Sequence, residues 1–252
     1  EIASSGTTFD QAFAAGPGTP MSHGAMFTGQ YPSETGILGP RTVPENLPIM
    51  AEWFQNRGYE TFGIPGPAKI SSEYGYDRGF NQYFETYTDD FPEYKSSTYI
   101  KRILTDSTNR LPLLRELIRT ITKGRDSHTS FKFDILKDFI ENSGGSPFFA
   151  FMNTTVAHLP YNPPRPYKQQ FTPELNRPRY AILESLLGRE QSIKRPNVRS
   201  DRLFELQTSE GISKYIADPQ YASEEEMDVL RQWYYASIKY LDDQLSQFLQ
   251  WL

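Results

Sequence analysis

The chain contains no cysteine, which excludes a disulfide framework and a thiolate metal site. It also lacks any apolar run near the roughly 18 residues that a membrane-spanning helix needs, and no signal-peptide pattern opens it. These absences leave the compartment open and favour the cytoplasm. The opening Glu1-Ile2-Ala3-Ser4-Ser5-Gly6, however, reads as the interior of a longer protein. An excess of basic charge is missing too: the net charge is −5 and the pI near 5.4, so there is no electrostatic footprint for nucleic acid. What remains is a 252-residue chain, long enough for one large domain or two small ones with a sizeable core. It is rich in aromatics, with 16 Tyr and 17 Phe, which suits large aromatic contact surfaces, including some around a polar ligand.

The stretch from Ala15 to Gly36 places small, turn-forming residues directly before a short helical run over Ser22 to Phe27. Thr19 would stand where an irregular loop enters the helix. The first amides of a helix have no intrahelical partners, and the helix dipole adds partial positive charge there. Such a place suits a sulfate or phosphate ester. His23 lies one turn further along the same face. By themselves these residues ordinarily mean an N-cap and nothing more.

The rest reads as α/β. Thr7 to Ala15 alternates like a strand. Glu45 to Arg57 has an apolar helical face of Leu47, Met50, Ala51 and Phe54, stopped by Gly58. Tyr59 to Ile64 is a β-prone strand, making half of a parallel crossover. Ser127 to Asn142 is amphipathic, with Phe131, Ile135 and Phe139 at four-residue steps. Phe148 to Met152 is a continuous apolar run, as expected of a central strand covered on both faces. Two segments look variable. Residues 86–126 hold one helix around 111–122. Residues 165–222 are polar, rich in Pro and Arg and without sustained period, so solvated surface or a substrate lid is expected. Ser223 with Glu226 forms a capping box for a last helix. Its buried stripe would be Met227, Leu230, Tyr234, Ile238, Leu241, Leu245, Phe248 and Leu252. Asp242 and Asp243 read as solvent-facing carboxylates of that helix rather than metal ligands.

Several of these segments resemble the sulfatase branch of the alkaline-phosphatase-like superfamily, in the form found in prokaryotic, often archaeal, members. Thr28-Gly29-Gln30-Tyr31-Pro32 is similar to the family's Thr-Gly-x-Tyr-Pro, and counting back nine residues puts Thr19 at the nucleophile position. Ser22-His23 falls where most sulfatases carry Ser-Arg. Gly75-Tyr76-Asp77-Arg78-Gly79-Phe80 resembles the family's Gly-Phe-Asp-x-Gly-Phe, read here as a turn with aromatic anchors. Asn153 to Pro164 resembles Asp-Pro-His-x-Pro-Tyr-x-Pro-Pro, which puts His158 at the histidine that contacts the ester oxygens. The matches fall at residues 6–37, 44–84, 146–164 and 226–249.

The resemblance implies an alkaline-phosphatase-like α/β sandwich with a mostly parallel sheet, of which residues 1–252 are one partial catalytic domain, incomplete at both ends. Thr19 would be nucleophile and metal-facing ligand. His23 and His158 would bind or protonate the ester oxygens. The cation, Ca2+ or Mg2+, would take its remaining ligands outside this chain, and the chain alone would be inactive or nearly so. Lys69 is the one substitute for the family's Gly-Lys-Trp-His lysine, although a surface lysine is its ordinary reading. The usual sulfatase nucleophile, a formylglycine made from cysteine, is impossible here. The implied partner is a small-molecule or glycan sulfate or phosphate ester. A phosphomonoester, phosphodiester or phosphonate hydrolase on the same scaffold, and a non-catalytic sulfatase-like binding protein, stay open.

Overall fold

A computed structural model of the chain describes residues 2–39, 42–66, 68–85, 129–172, 198 and 200–252. The chain divides into two compact units, residues 1–99 with 130–154 and residues 100–129 with 155–252. The helix expected around 111–122 lies outside the described residues, as does the whole of the segment 86–126.

In the first unit, three parallel strands, β1 (Glu60–Ile64), β2 (Gln82–Tyr83) and β3 (Phe148–Met152), form a sheet in the order β2-β1-β3. Phe62 pairs with Ala150 and Gly63 with Phe151, and side chains alternate between faces along each strand. Phe62 therefore points to one face, where it stacks on Phe139 at 4.4 Å from α5 (Thr129–Asn142). Phe149 and Phe151 point to the other face. There they meet Phe54 at 4.5 Å and Phe27 at 4.8 Å, carried by α4 (Met50–Gln55) and α2 (Thr19–Thr28). A sheet with helices on both faces is the α/β arrangement that a parallel ladder requires, because each crossover must return over a face. Two single-turn helices, α1 (Ile2–Ser5) and α3 (Pro32–Thr35), complete the N-terminal part.

Four sequence expectations change here. β3 is covered on both faces but is not central: β1 is, and β3 stands at the edge of the described sheet. Residues 7–15 are not a strand; Phe9 and Phe13 are 77% and 90% exposed, because alternation without a neighbouring strand makes no ladder. α4 starts at Met50 instead of Glu45, since Pro48 disfavours helix at the residue before it and the Glu52 carboxylate accepts from the Ile49 amide at 2.9 Å, marking the helix start there. Residues 66–84 are not a plain loop but two 3-10 turns, Ala68–Ile70 and Ser72–Tyr74, followed by β2.

The second unit is helical where described: α6 (Arg165–Phe171), α7 (Ser200–Leu206), α8 (Ser209–Ala217) and α9 (Glu224–Trp251). Three of these fall in the stretch expected to be aperiodic. They are seven to nine residues long, too short to display a period, and they are set by caps and packing. The Thr208 hydroxyl caps α8 by accepting from the Gly211 amide at 3.1 Å. Arg202, within the stretch expected to be solvated surface or a lid, lies 3.5 Å from Glu226 and places its guanidinium 4.1 Å over the Tyr221 ring.

The capping box at Ser223 and Glu226 forms as read. Leu230 and Phe248 of the expected α9 stripe are buried, but up to Tyr240 the stripe is turned by about one residue, roughly 100°: Glu226, Val229, Ala236, Ser237 and Tyr240 are also inside, while Tyr234, Ile238 and Leu252 are exposed. The rotation follows from α6, whose Tyr167 ring packs on Tyr240 at 5.1 Å and whose hydroxyl donates to Asp243 at 3.1 Å. Asp243 also pairs with Lys239. It is therefore an anchor between two helices, not a solvated carboxylate.

Candidate active site

The site begins at the carboxyl edge of the sheet, where functional groups gather in open α/β folds. The Asn153 amide donates to the Ile64 carbonyl at 2.9 Å, so the ends of β3 and β1 are held level. From there the Asn153 side chain reaches back to His23, its Nδ2 lying 3.1 Å from His23 Nε2. Lys132 of α5, 2% exposed, donates from Nζ to the Asn153 carbonyl at 2.9 Å. Sequence reading missed both Asn153 and Lys132. The available signal was position: Asn153 is the first residue after the apolar strand 148–152.

α2 carries Thr19 and His23. Its N-cap, Gly18, is extended and offers no side chain, so the first turn keeps donors free that a Ser or Asp cap would occupy. Thr19 is the first helical residue and half-buried. Its hydroxyl has no hydrogen-bond partner among the described residues. His23 is one turn on, as the spacing predicts, and its Nδ1 lies 2.9 Å from the Thr19 carbonyl. A carbonyl only accepts, so Nδ1 carries the proton, and Nε2 is the lone pair that takes the Asn153 amide. Both ring nitrogens are thus engaged in the neutral ring. Burial lowers the His23 pKa from 6.5, with the Thr19 carbonyl pulling weakly the other way. Phe151 adds an edge-on aromatic contact at 6.1 Å. To take up a proton at Nε2, His23 must give up Asn153.

The Gly75–Phe80 segment supports α2 from below. Tyr76 is fully buried, meets Phe27 edge-on at 5.7 Å and donates its hydroxyl to the Pro20 carbonyl at 3.0 Å. Arg78 donates to the carbonyls of Glu45 and Leu47 at 3.1 and 2.8 Å. Gly79, at φ +75, lets the chain pass so close to α4 that a Cβ would sit 2.1 Å from the Glu52 amide nitrogen. This segment is a brace with aromatic anchors.

The remaining candidates sit elsewhere. Lys69 is exposed on the 3-10 turn Ala68–Ile70, and the structure gives it no specific contact. His158 belongs to the second unit, exposed in a turn closed by its own amide on the Thr155 carbonyl at 3.0 Å. Its Nδ1 lies 2.6 Å from the Leu159 carbonyl, so Nδ1 donates and Nε2 faces outward without a partner among the described residues. The loop around it is pinned within its unit: the Tyr161 amide donates to Gln207, and Lys168 donates to Asn162 at 2.6 Å. Among the described residues, no three His, Asp or Glu side chains converge to hold a metal ion, and no helix is long and apolar enough to cross a membrane.

A family model described as Sulfatase matches residues 1–252. No curated protein and no solved structure matches the chain.

Proposed function

Because the chain belongs to the sulfatase family of alkaline-phosphatase-like hydrolases, we propose that it is part of one catalytic domain that cleaves sulfate esters with Thr19 as nucleophile. The observation that carries this reading is Thr19 itself. Its hydroxyl is uncommitted at the first turn of a helix whose N-cap leaves backbone donors free, and His23, one turn on, is tied to the carboxyl edge of the sheet. Backbone amides and the helix dipole there favour an anionic ester.

In the proposed reaction the Thr19 oxygen forms a bond to sulfur as the bond from sulfur to the alcohol oxygen breaks. The hydroxyl gives up one proton and the departing alkoxide takes up one, with His23 and His158 binding the ester oxygens or carrying these protons. Water then attacks the Thr19 sulfate ester, releases hydrogen sulfate and restores the hydroxyl. Lys69 would help to bind the ester anion. The family generally uses a divalent cation, which supplies charge compensation and nucleophile activation when bound. The described residues do not complete a site for one. In this reading Ca2+ or Mg2+ would be held by Thr19 together with ligands from outside them.

Threonine favours a second reading. It cannot become a hydrated aldehyde, so its ester must be hydrolysed by water, a route equally suited to phosphate esters. The test is an assay of the full-length protein on 4-nitrophenyl sulfate and 4-nitrophenyl phosphate with added Ca2+, Mg2+ or Mn2+, beside Thr19→Ala. Cation-dependent release of nitrophenol that disappears in Thr19→Ala is expected, and the preferred ester separates the two hydrolases. A folded protein that turns over neither ester with any cation would leave a binding protein as the surviving reading.

A further inference from the structure

Asn153 is held at three points. Its amide donates to the Ile64 carbonyl at 2.9 Å, its carbonyl accepts from Lys132 Nζ at 2.9 Å, and its side-chain Nδ2 lies 3.1 Å from His23 Nε2. The two helices involved lie on opposite faces of the sheet: α5 packs on Phe62 and α2 on Phe151. The end of β3 is thereby tied to both. Lys132 is the unusual member, because lysine is almost never fully buried, yet here it is buried and directs its ammonium at a main-chain carbonyl. A charged donor makes the stronger kind of hydrogen bond, and a buried setting strengthens it further.

The tether continues through His23 to the first turn of α2. His23 Nδ1 donates to the Thr19 carbonyl at 2.9 Å, and Tyr76 donates to the neighbouring Pro20 carbonyl at 3.0 Å. This turn needs such support. Its N-cap, Gly18, makes no side-chain bond, and an uncapped helix end frays readily. Thr19, the first helical residue, stands where fraying would be greatest. Support through carbonyls leaves the first-turn amides and the Thr19 hydroxyl free for a ligand.

We propose that Lys132 and Asn153 are positioning residues for Thr19: acting through His23, they hold the first turn of α2 against the carboxyl edge of the sheet. Neither is a catalytic residue. The proposal rests on Thr19 being the nucleophile, as proposed above. A misplaced nucleophile loses rate more than ground-state binding, and a displacement near 1 Å costs about a hundredfold. Loss of either residue is therefore expected in kcat.

The test uses the full-length protein and includes one readout that needs no turnover. The Nδ1 proton of His23 is followed by heteronuclear NMR, identified by its absence in His23→Gln, and its exchange with water is measured. Asn153→Ala and Lys132→Met should each speed this exchange at least about tenfold, although Lys132 does not bond to the ring. Thr19→Ala, which keeps the carbonyl, and Asp134→Asn, at an exposed position of α5, should leave it unchanged. With 4-nitrophenyl sulfate or phosphate and added cation, kcat should fall about ten- to a hundredfold in Asn153→Ala and Lys132→Met while KM changes little. Lys132→Arg, which keeps a long charged donor, should recover part of that loss. Urea midpoints verify folding, and the half-buried Asn153→Ala guards against misfolding of the buried Lys132 variant. A wild-type proton that exchanges as fast as in both variants, or kcat at the wild-type level in both, would overturn the proposal. Faster exchange in both variants of a protein that turns over neither ester would support the tether and overturn only the hydrolase reading.

Discussion

Tyr76→Phe removes one oxygen from the centre of the first unit and should do two opposite things. At neutral pH it deletes the hydrogen bond from the buried Tyr76 hydroxyl to the Pro20 carbonyl. The ring remains, so no cavity of consequence opens, and the loss is that of one hydrogen bond, about 1 kcal/mol. At alkaline pH the sign reverses. Burial pushes the Tyr76 phenol up from 10.0 to about 12. Between those values the unfolded chain has released the proton and the folded chain still holds it, so stability falls as pH rises. The full window carries roughly 2.7 kcal/mol, and about half of that is lost by pH 11. Phenylalanine at position 76 has no proton to lose. Urea denaturation of both proteins from about pH 8 to pH 11.5 should therefore give stability curves that cross near pH 11, wild type ahead below and Tyr76→Phe ahead above. Tyrosines and lysines common to both proteins cancel in the difference. A wild-type advantage that stays constant across this range would refute the argument, because it would mean that Tyr76 ionises as easily in the fold as in the unfolded chain.

Three further outcomes are expected. The lowered pKa of His23 means that the unfolded chain takes up a proton first as pH falls below 6.5, so wild-type stability drops there and stops dropping once the folded ring also protonates. The stability gap between wild type and His23→Gln should shrink between pH 7.5 and about pH 5, and an unchanged or growing gap in urea titrations would contradict the buried neutral ring. Gly79→Ala forces a Cβ to within 2.1 Å of the Glu52 nitrogen at φ +75 and should cost more than about 3 kcal/mol. Gly58→Ala, at φ +79 with nothing within 4 Å, should cost only about 1–2 kcal/mol; equal losses in thermal melts would show that the close approach to α4 is not what constrains residue 79. Ser223→Ala removes the hydroxyl that accepts from the Glu226 amide at 3.2 Å and should lower stability by about 1 kcal/mol, measured as a shift in the urea midpoint at constant slope.

The elements legible in the chain are those specified within a few residues of sequence. β3 is bounded by Ser146-Pro147 before and a polar turn after, and it runs over the expected residues 148–152. The start of α9 is written in Ser223 and Glu226, which satisfy each other's backbone amides. The loop-to-helix entry at Thr19 and the i, i+4 relation of His23 follow from helical geometry alone, and the family resemblance carried by residues 19–32 made the same place the nucleophile position.

What the sequence did not disclose depends on segments far apart in the chain. The stripe of α9 is turned because α6 docks through Tyr167 and Asp243, a choice between neighbouring apolar faces that periodicity alone cannot make. The alternation at 7–15 has no ladder to join. Asn153 meets His23 across 130 positions, and Lys132 fixes the Asn153 carbonyl from a third element. Local chemistry, capping, turn residues and period, acts over one helical turn and is readable in the string of residues. The protonation and orientation of His23 and the brace that Tyr76 places under Pro20 are set by which elements pack together. Packing selects among many locally equivalent arrangements, so only the tertiary structure decides them.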